Sequence, residues 1–81
     1  FSLYPNPARK QVVISLGHIT QTASLTLYNP EGQPVYSAVV PGDRPEVDHR
    51  IDLGGFHDGT YIVQVRTDKF VGTEKLVILN H

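Results

Sequence analysis

The 81-residue chain has neither cysteine nor tryptophan, and each absence narrows what it can be. Without cysteine there is no disulfide to staple a small core and no thiolate for nucleophilic chemistry or zinc binding. That lack is compatible with an oxidising compartment, which permits disulfides without requiring them. Without tryptophan or a cysteine pair, the hallmarks of antibody domains are missing as well. An excess of one charge is also lacking: seven Lys and Arg stand against eight Asp and Glu, for a formal net charge of -1. With no long run of either sign, the chain has no basic footprint for DNA or RNA, and nucleic acid is not expected as a partner. Long hydrophobic runs are absent too. Stretches such as Leu76 to Leu79 and Val39 to Val40 fall far short of the ~18 residues a membrane-spanning helix needs. The opening Phe1-Ser2-Leu3-Tyr4-Pro5 has neither the basic start nor the apolar centre of a secretory signal. We therefore expect residues 1–81 to form one domain cut from a larger precursor, on which any export signal would lie.

What is present is alternation. In Val47-Asp48-His49-Arg50-Ile51-Asp52-Leu53, Val47, His49, Ile51 and Leu53 share one face and the charged residues the other, which is the period of a strand. Val12, Ile14 and Leu16 likewise point inward around Val13 and Ser15, and Ala23, Leu25 and Leu27 around Ser24, Thr26 and Tyr28. Asn29-Pro30-Glu31-Gly32 reads as a turn closed by Gly32, and the next strand runs from about Gln33 to Val40 with Pro34 at its beginning. Pro41 to Pro45 and Gly54 to Gly59 read as loops. Tyr61, Val63 and Val65 alternate with Ile62, Gln64 and Arg66, and a closing strand follows over roughly Val71 to Leu79. With the short segment Phe1 to Tyr4, about seven strands result. A chain of this size buries little more than ~60% of its unfolded surface, so every strand must contribute. The expected fold is all-β, a small Ig-like antiparallel β-sandwich.

Catalysis and metal binding find little support. Asp48, His49, Asp52, His57 and Asp58 are close in sequence, but His49 lies on the inward stripe, Asp48 and Asp52 face out and His57 lies in a loop. A partly buried, hydrogen-bonded His49 is the expectation, with no metal and no cofactor. Ser15, Ser24 and Ser37 sit within strands, Ser2 is near the start, and Glu46, Asp48 and Asp52 have no cleft to perturb them, so no enzyme is expected. Tyr28, Tyr36, Phe56 and Tyr61 could form a glycan-binding platform, although Tyr61 belongs to the inward stripe and Tyr28 and Tyr36 read as cross-strand partners on one half-covered face. Lys75-Leu76-Val77-Ile78-Leu79 is apolar on both faces. Two readings stay open for it, a buried closing strand or an edge that a partner covers, and a strand-paired homodimer is one form of the second.

Several of these segments, in order, resemble one family. Tyr4-Pro5-Asn6-Pro7-Ala8, Leu27-Tyr28-Asn29 with Gly32 and Val35, Asp52-Leu53 with Gly55, Gly59-Thr60-Tyr61-Ile62-Val63, and Thr73 with Lys75-Leu76-Val77-Ile78 are similar to the motifs of type A C-terminal sorting domains of the type IX (Por) secretion system of certain Gram-negative bacteria. The resemblance spans nearly the whole chain. It implies a cargo signal, recognised in the periplasm, guided through the outer membrane by a shuttle and translocon, and ending at the cell surface or secreted. In that family a sortase-like peptidase cuts upstream of the domain, here before Phe1, and joins the cargo to anionic lipopolysaccharide. Recognition by the export machinery is implied for Gly59, Tyr61, Lys75, Leu76, Val77 and Ile78. Tyr4, Pro5, Asn6, Pro7 and Gly32 would be structural, with the prolines holding Tyr4 and Asn6 extended and Gly59 taking a turn conformation before its strand. The alternative is an Ig-like glycan-binding, protein-binding or assembly module retained on a surface protein. One departure is the tail, where Leu79-Asn80-His81 follows the last motif and the family often has a basic residue.

Overall fold

The computed structural model describes residues 1–79. The chain forms β1 (Ser2–Tyr4), β2 (Gln11–Ile19), β3 (Ala23–Tyr28), β4 (Pro34–Val40), β5 (Arg44–Asp52), β6 (Gly59–Arg66) and β7 (Val71–Ile78), with no helix among the described residues. One sheet has the order β1-β2-β5 and the other β4-β3-β6-β7. All of these strand pairs are antiparallel. The two inner faces supply one core, as the alternating pattern requires: Val12 and Ile14 from β2, Ala23, Leu25 and Leu27 from β3, Ile51 and Leu53 from β5 and beyond it, Tyr61, Val63 and Val65 from β6, and Leu76 and Ile78 from β7 are all buried. Burying each of the larger aliphatic side chains stabilises the fold by roughly 1.5–3 kcal/mol.

Two strands extend beyond what alternation suggests. β2 continues past Leu16 to Ile19 through register shifts between Ser15 and Gly17 and again between Gly17 and Ile19. The extra length meets β5, which begins at Arg44, so only residues 41–43 of the expected loop lie outside strands. Pro45 therefore sits inside a strand. It is tolerated because β5 is a sheet edge and Pro45 has no partner in the register with β2.

The β3–β4 turn closes as its residues demand. The Gly32 N–H donates to the Asn29 carbonyl at 2.9 Å, and Asn29 Oδ1 accepts from the backbone N–H groups of Glu31 (3.1 Å) and Gln33 (2.8 Å). Gly32 has a φ of +84°, a left-handed geometry that suits a residue without Cβ. A register shift between Leu27 and Tyr28 accompanies the turn. Tyr36 thus lies opposite Leu27 and packs against the core, while Tyr28 pairs with Pro34 on the outward face. The two tyrosines are on opposite faces and are not the cross-strand partners that the sequence suggests.

Candidate functional site

The chain crosses from one sheet to the other over residues 5–8. β1 ends at Tyr4, beside β2. The Tyr4–Pro5 and Asn6–Pro7 peptide bonds are both cis, and the segment then lies along the outer edge of β7. The Asn6 side chain behaves there as a peptide group: its Nδ2 donates to the Lys75 carbonyl at 3.0 Å and its Oδ1 accepts from the Val77 N–H at 3.0 Å. An amide offers this donor and acceptor together, which a carboxylate or an aliphatic side chain does not. The flanking prolines carry no N–H of their own to satisfy. Ala8 continues with true backbone pairing, its N–H donating to the Val77 carbonyl and its carbonyl accepting from the Leu79 N–H, each at 2.8 Å. Ala8 and Ile78 form a parallel bridge, and Ala8 is fully buried.

The fold bears on both readings of Lys75 to Leu79. β7 is an edge strand, and residues 5–8 of the same chain act as a strap that covers its second half. Leu76 and Ile78 are fully buried, Val77 and Leu79 half-buried, and Lys75 exposed. Asn80 and His81, where the tail departs from the family pattern, lie outside the described residues.

Across β7, Gly59 pairs with Ile78 and Tyr61 with Leu76. Gly59 opens β6 with a φ of +158°, a backbone conformation that residues with a side chain rarely adopt. A close approach adds to the need for glycine, because a Cβ there would lie 2.9 Å from Cγ of Pro30 in the β3–β4 turn. Tyr61 is buried, its hydroxyl donates to the His57 carbonyl at 2.8 Å, and its ring lies 6.0 Å from that of Phe56. Burial pushes the Tyr61 hydroxyl above its ordinary pKa, and the negative charges of Glu31 and Asp58 add to that rise.

The structure therefore brings Tyr4, Pro5, Asn6 and Pro7 together with Lys75, Leu76, Val77 and Ile78, with Gly59 and Tyr61 on the neighbouring strand and Gly32 in the turn that packs on Gly59. The sequence alone gives Asn6 a structural role, held extended by its prolines, and gives Ala8 none. The available signal was a polar residue set between two prolines, but its partners are 69 and 71 residues away.

His49 and His57 lie on different elements. His49 is half-buried, and its Nε2 is hydrogen-bonded to the Tyr36 hydroxyl at 2.7 Å, joining the edge strands β5 and β4. His57 lies in the loop that receives the Tyr61 hydroxyl. Among the described residues no group of His, Asp or Glu converges as a metal site. Between the β4 and β5 edges runs an open groove of about 310 Å³, with Val39, Arg44, Val47 and His49 in its walls.

Compared with known families, residues 2–79 match the family described as the secretion system C-terminal sorting domain. No curated protein matches the chain.

Proposed function

The chain belongs to the family of secretion system C-terminal sorting domains, and from that premise we propose that it is the non-catalytic signal of a larger protein, directing it across the outer membrane through the type IX system to the cell surface. The observation that carries this reading is the extent of the family match, which includes both the strap and β7 and so covers the whole unit they form. In this reading the folded domain passes through the periplasm and meets an outer-membrane shuttle and translocon. A sortase-like peptidase acts before Phe1 where the cargo is processed, and anionic lipopolysaccharide is the final anchor.

Burial divides the recognition residues by role. Lys75 is exposed and Val77 half-buried, so these two can touch the machinery. Gly59, Tyr61, Leu76 and Ile78 act from beneath by fixing the hairpin, because the last three are buried and Gly59 lies under Pro30. A signal read as a shape requires such rigidity, since an ordered surface loses less conformational entropy on binding.

The test is a fusion of residues 1–81 behind a signal peptide and a reporter in a type IX-competent cell. We expect surface reporter from the fusion and none from the reporter alone. Removing residues 75–81 would also remove Leu76 and Ile78 from the core, so the informative variant is Lys75→Glu, which should keep the fold and reduce delivery. A stable, folded wild-type fusion retained in the periplasm would overturn the reading.

A further inference from the structure

The strap covers only part of the β7 edge. It engages the Lys75 carbonyl, both backbone groups of Val77 and the Leu79 N–H. Alternate residues of an antiparallel strand direct their N–H and C=O to the same side. The N–H and C=O of Val71 and Thr73, and the N–H of Lys75, therefore point to this same edge. Among the described residues no strand pairs with them there: the chain that supplies the strap leaves the edge at Pro5 and its preceding residues pair with β2 instead, with the Phe1 ring beside Gly72. Val71, Thr73, Glu74 and Lys75 are all exposed, and Phe70 beside them is 51% exposed.

The β5 and β1 edges are better guarded, and β4 is guarded at its start. β4 begins with Pro34, β5 contains Pro45 and alternating charges at Glu46, Asp48 and Arg50, and β1 is three residues long. Over 71–75 the side chains that share the outward face are Val71, Thr73 and Lys75, the neighbours of Arg66, Gln64 and Ile62.

The geometry points to strand addition at this free half of the β7 edge: an extended segment of another polypeptide, belonging to the export machinery, pairs with the backbone of Val71 to Lys75. The inference rests on the sorting function proposed above and supplies its mode of recognition. The edge already accepts one extended segment, the strap at Ala8. Side chains on an added strand would stand beside Val71 and Lys75, so the fitting segment has an apolar residue at one end and a carboxylate two strand pairs further along. A second copy of the chain fits less well. Antiparallel self-pairing about Thr73 sets each Lys75 ammonium beside the partner's Val71, an apolar side chain.

The test uses the reporter fusion with Thr73→Pro, Thr73→Ala and Val71→Pro. The Thr73 N–H faces away from β6, so proline there removes a donor from the free edge and no bond of the fold. We expect Thr73→Pro to melt within a few degrees of wild type and to lower surface delivery on the order of tenfold, as the loss of one or two backbone hydrogen bonds implies. Thr73→Ala should deliver as wild type does. Should Thr73→Pro not fold, Val71→Pro, at the first residue of β7, is judged by the same criterion. Normal delivery by a folded proline variant overturns strand addition and leaves the sorting function intact. A concentration-dependent dimer of wild type that Thr73→Pro dissolves assigns the edge to self-pairing and also overturns it. A folded wild-type fusion that never reaches the surface sinks the sorting function, and the edge proposal with it.

Discussion

The two long sides of the sandwich are closed by different means. On the β1/β7 side the chain lays its own backbone and the Asn6 amide along an edge strand, with four hydrogen bonds and a buried alanine. On the β4/β5 side the sheets are linked by a side-chain pair, Tyr36 and His49, beside an open groove. Backbone pairing is set by main-chain geometry and fixes register, whereas a hydroxyl and an imidazole can be exchanged by single substitutions. The side that carries the proposed recognition residues is the one closed by main chain.

Three measurements would sharpen or break that contrast. The largest effect is expected from Asn6→Ala, which removes two hydrogen bonds and leaves the Lys75 carbonyl and Val77 N–H without their partner. A loss of about 1–3 kcal/mol in denaturant-determined stability follows, together with faster amide exchange at Val77. Tyr36→Phe removes one bond on the opposite side and should cost about 0.5–1.5 kcal/mol without altering exchange at Val77. If Tyr36→Phe proves the more damaging, the ranking of the two sides is wrong.

The smallest effect concerns pH. Tyr61 has its folded-state pKa raised above 10.0, first by burial and then by Glu31 and Asp58. The folded state therefore holds this proton more firmly than the unfolded chain does. That stability is fully present below the unfolded pKa and is lost as pH rises through the folded one. Wild type should lose stability above pH ~10 more steeply than Tyr61→Phe. Parallel alkaline curves for the two proteins would remove burial of Tyr61 from the account of this end of the molecule.

Much of the fold was legible because alternation is a local property. Ala23, Leu25 and Leu27, and Tyr61, Val63 and Val65, face inward as their period of two requires. Where the period slips, local reading fails. β2 passes through two register shifts around Gly17, and the extension of β5 over Pro45 depends on that lengthened neighbour. The shift at Leu27/Tyr28 similarly separates Tyr28 from Tyr36. The residues of the candidate site were legible through their resemblance to family motifs, but the way they are joined was not. Nothing near Asn6 in sequence reveals that its amide substitutes for a strand of the second sheet, and only the folded topology supplies Lys75 and Val77 as its partners.

Because those partners come 69 and 71 residues after Asn6, closing the strap is a non-local event that local chain order cannot anticipate. A chain interrupted before Lys75 could form much of both sheets and still leave Asn6 and Ala8 without their partners on β7. The closed strap thus works as a mark of completeness: the surface it helps to build exists only when the first and last strands of the domain are both in place.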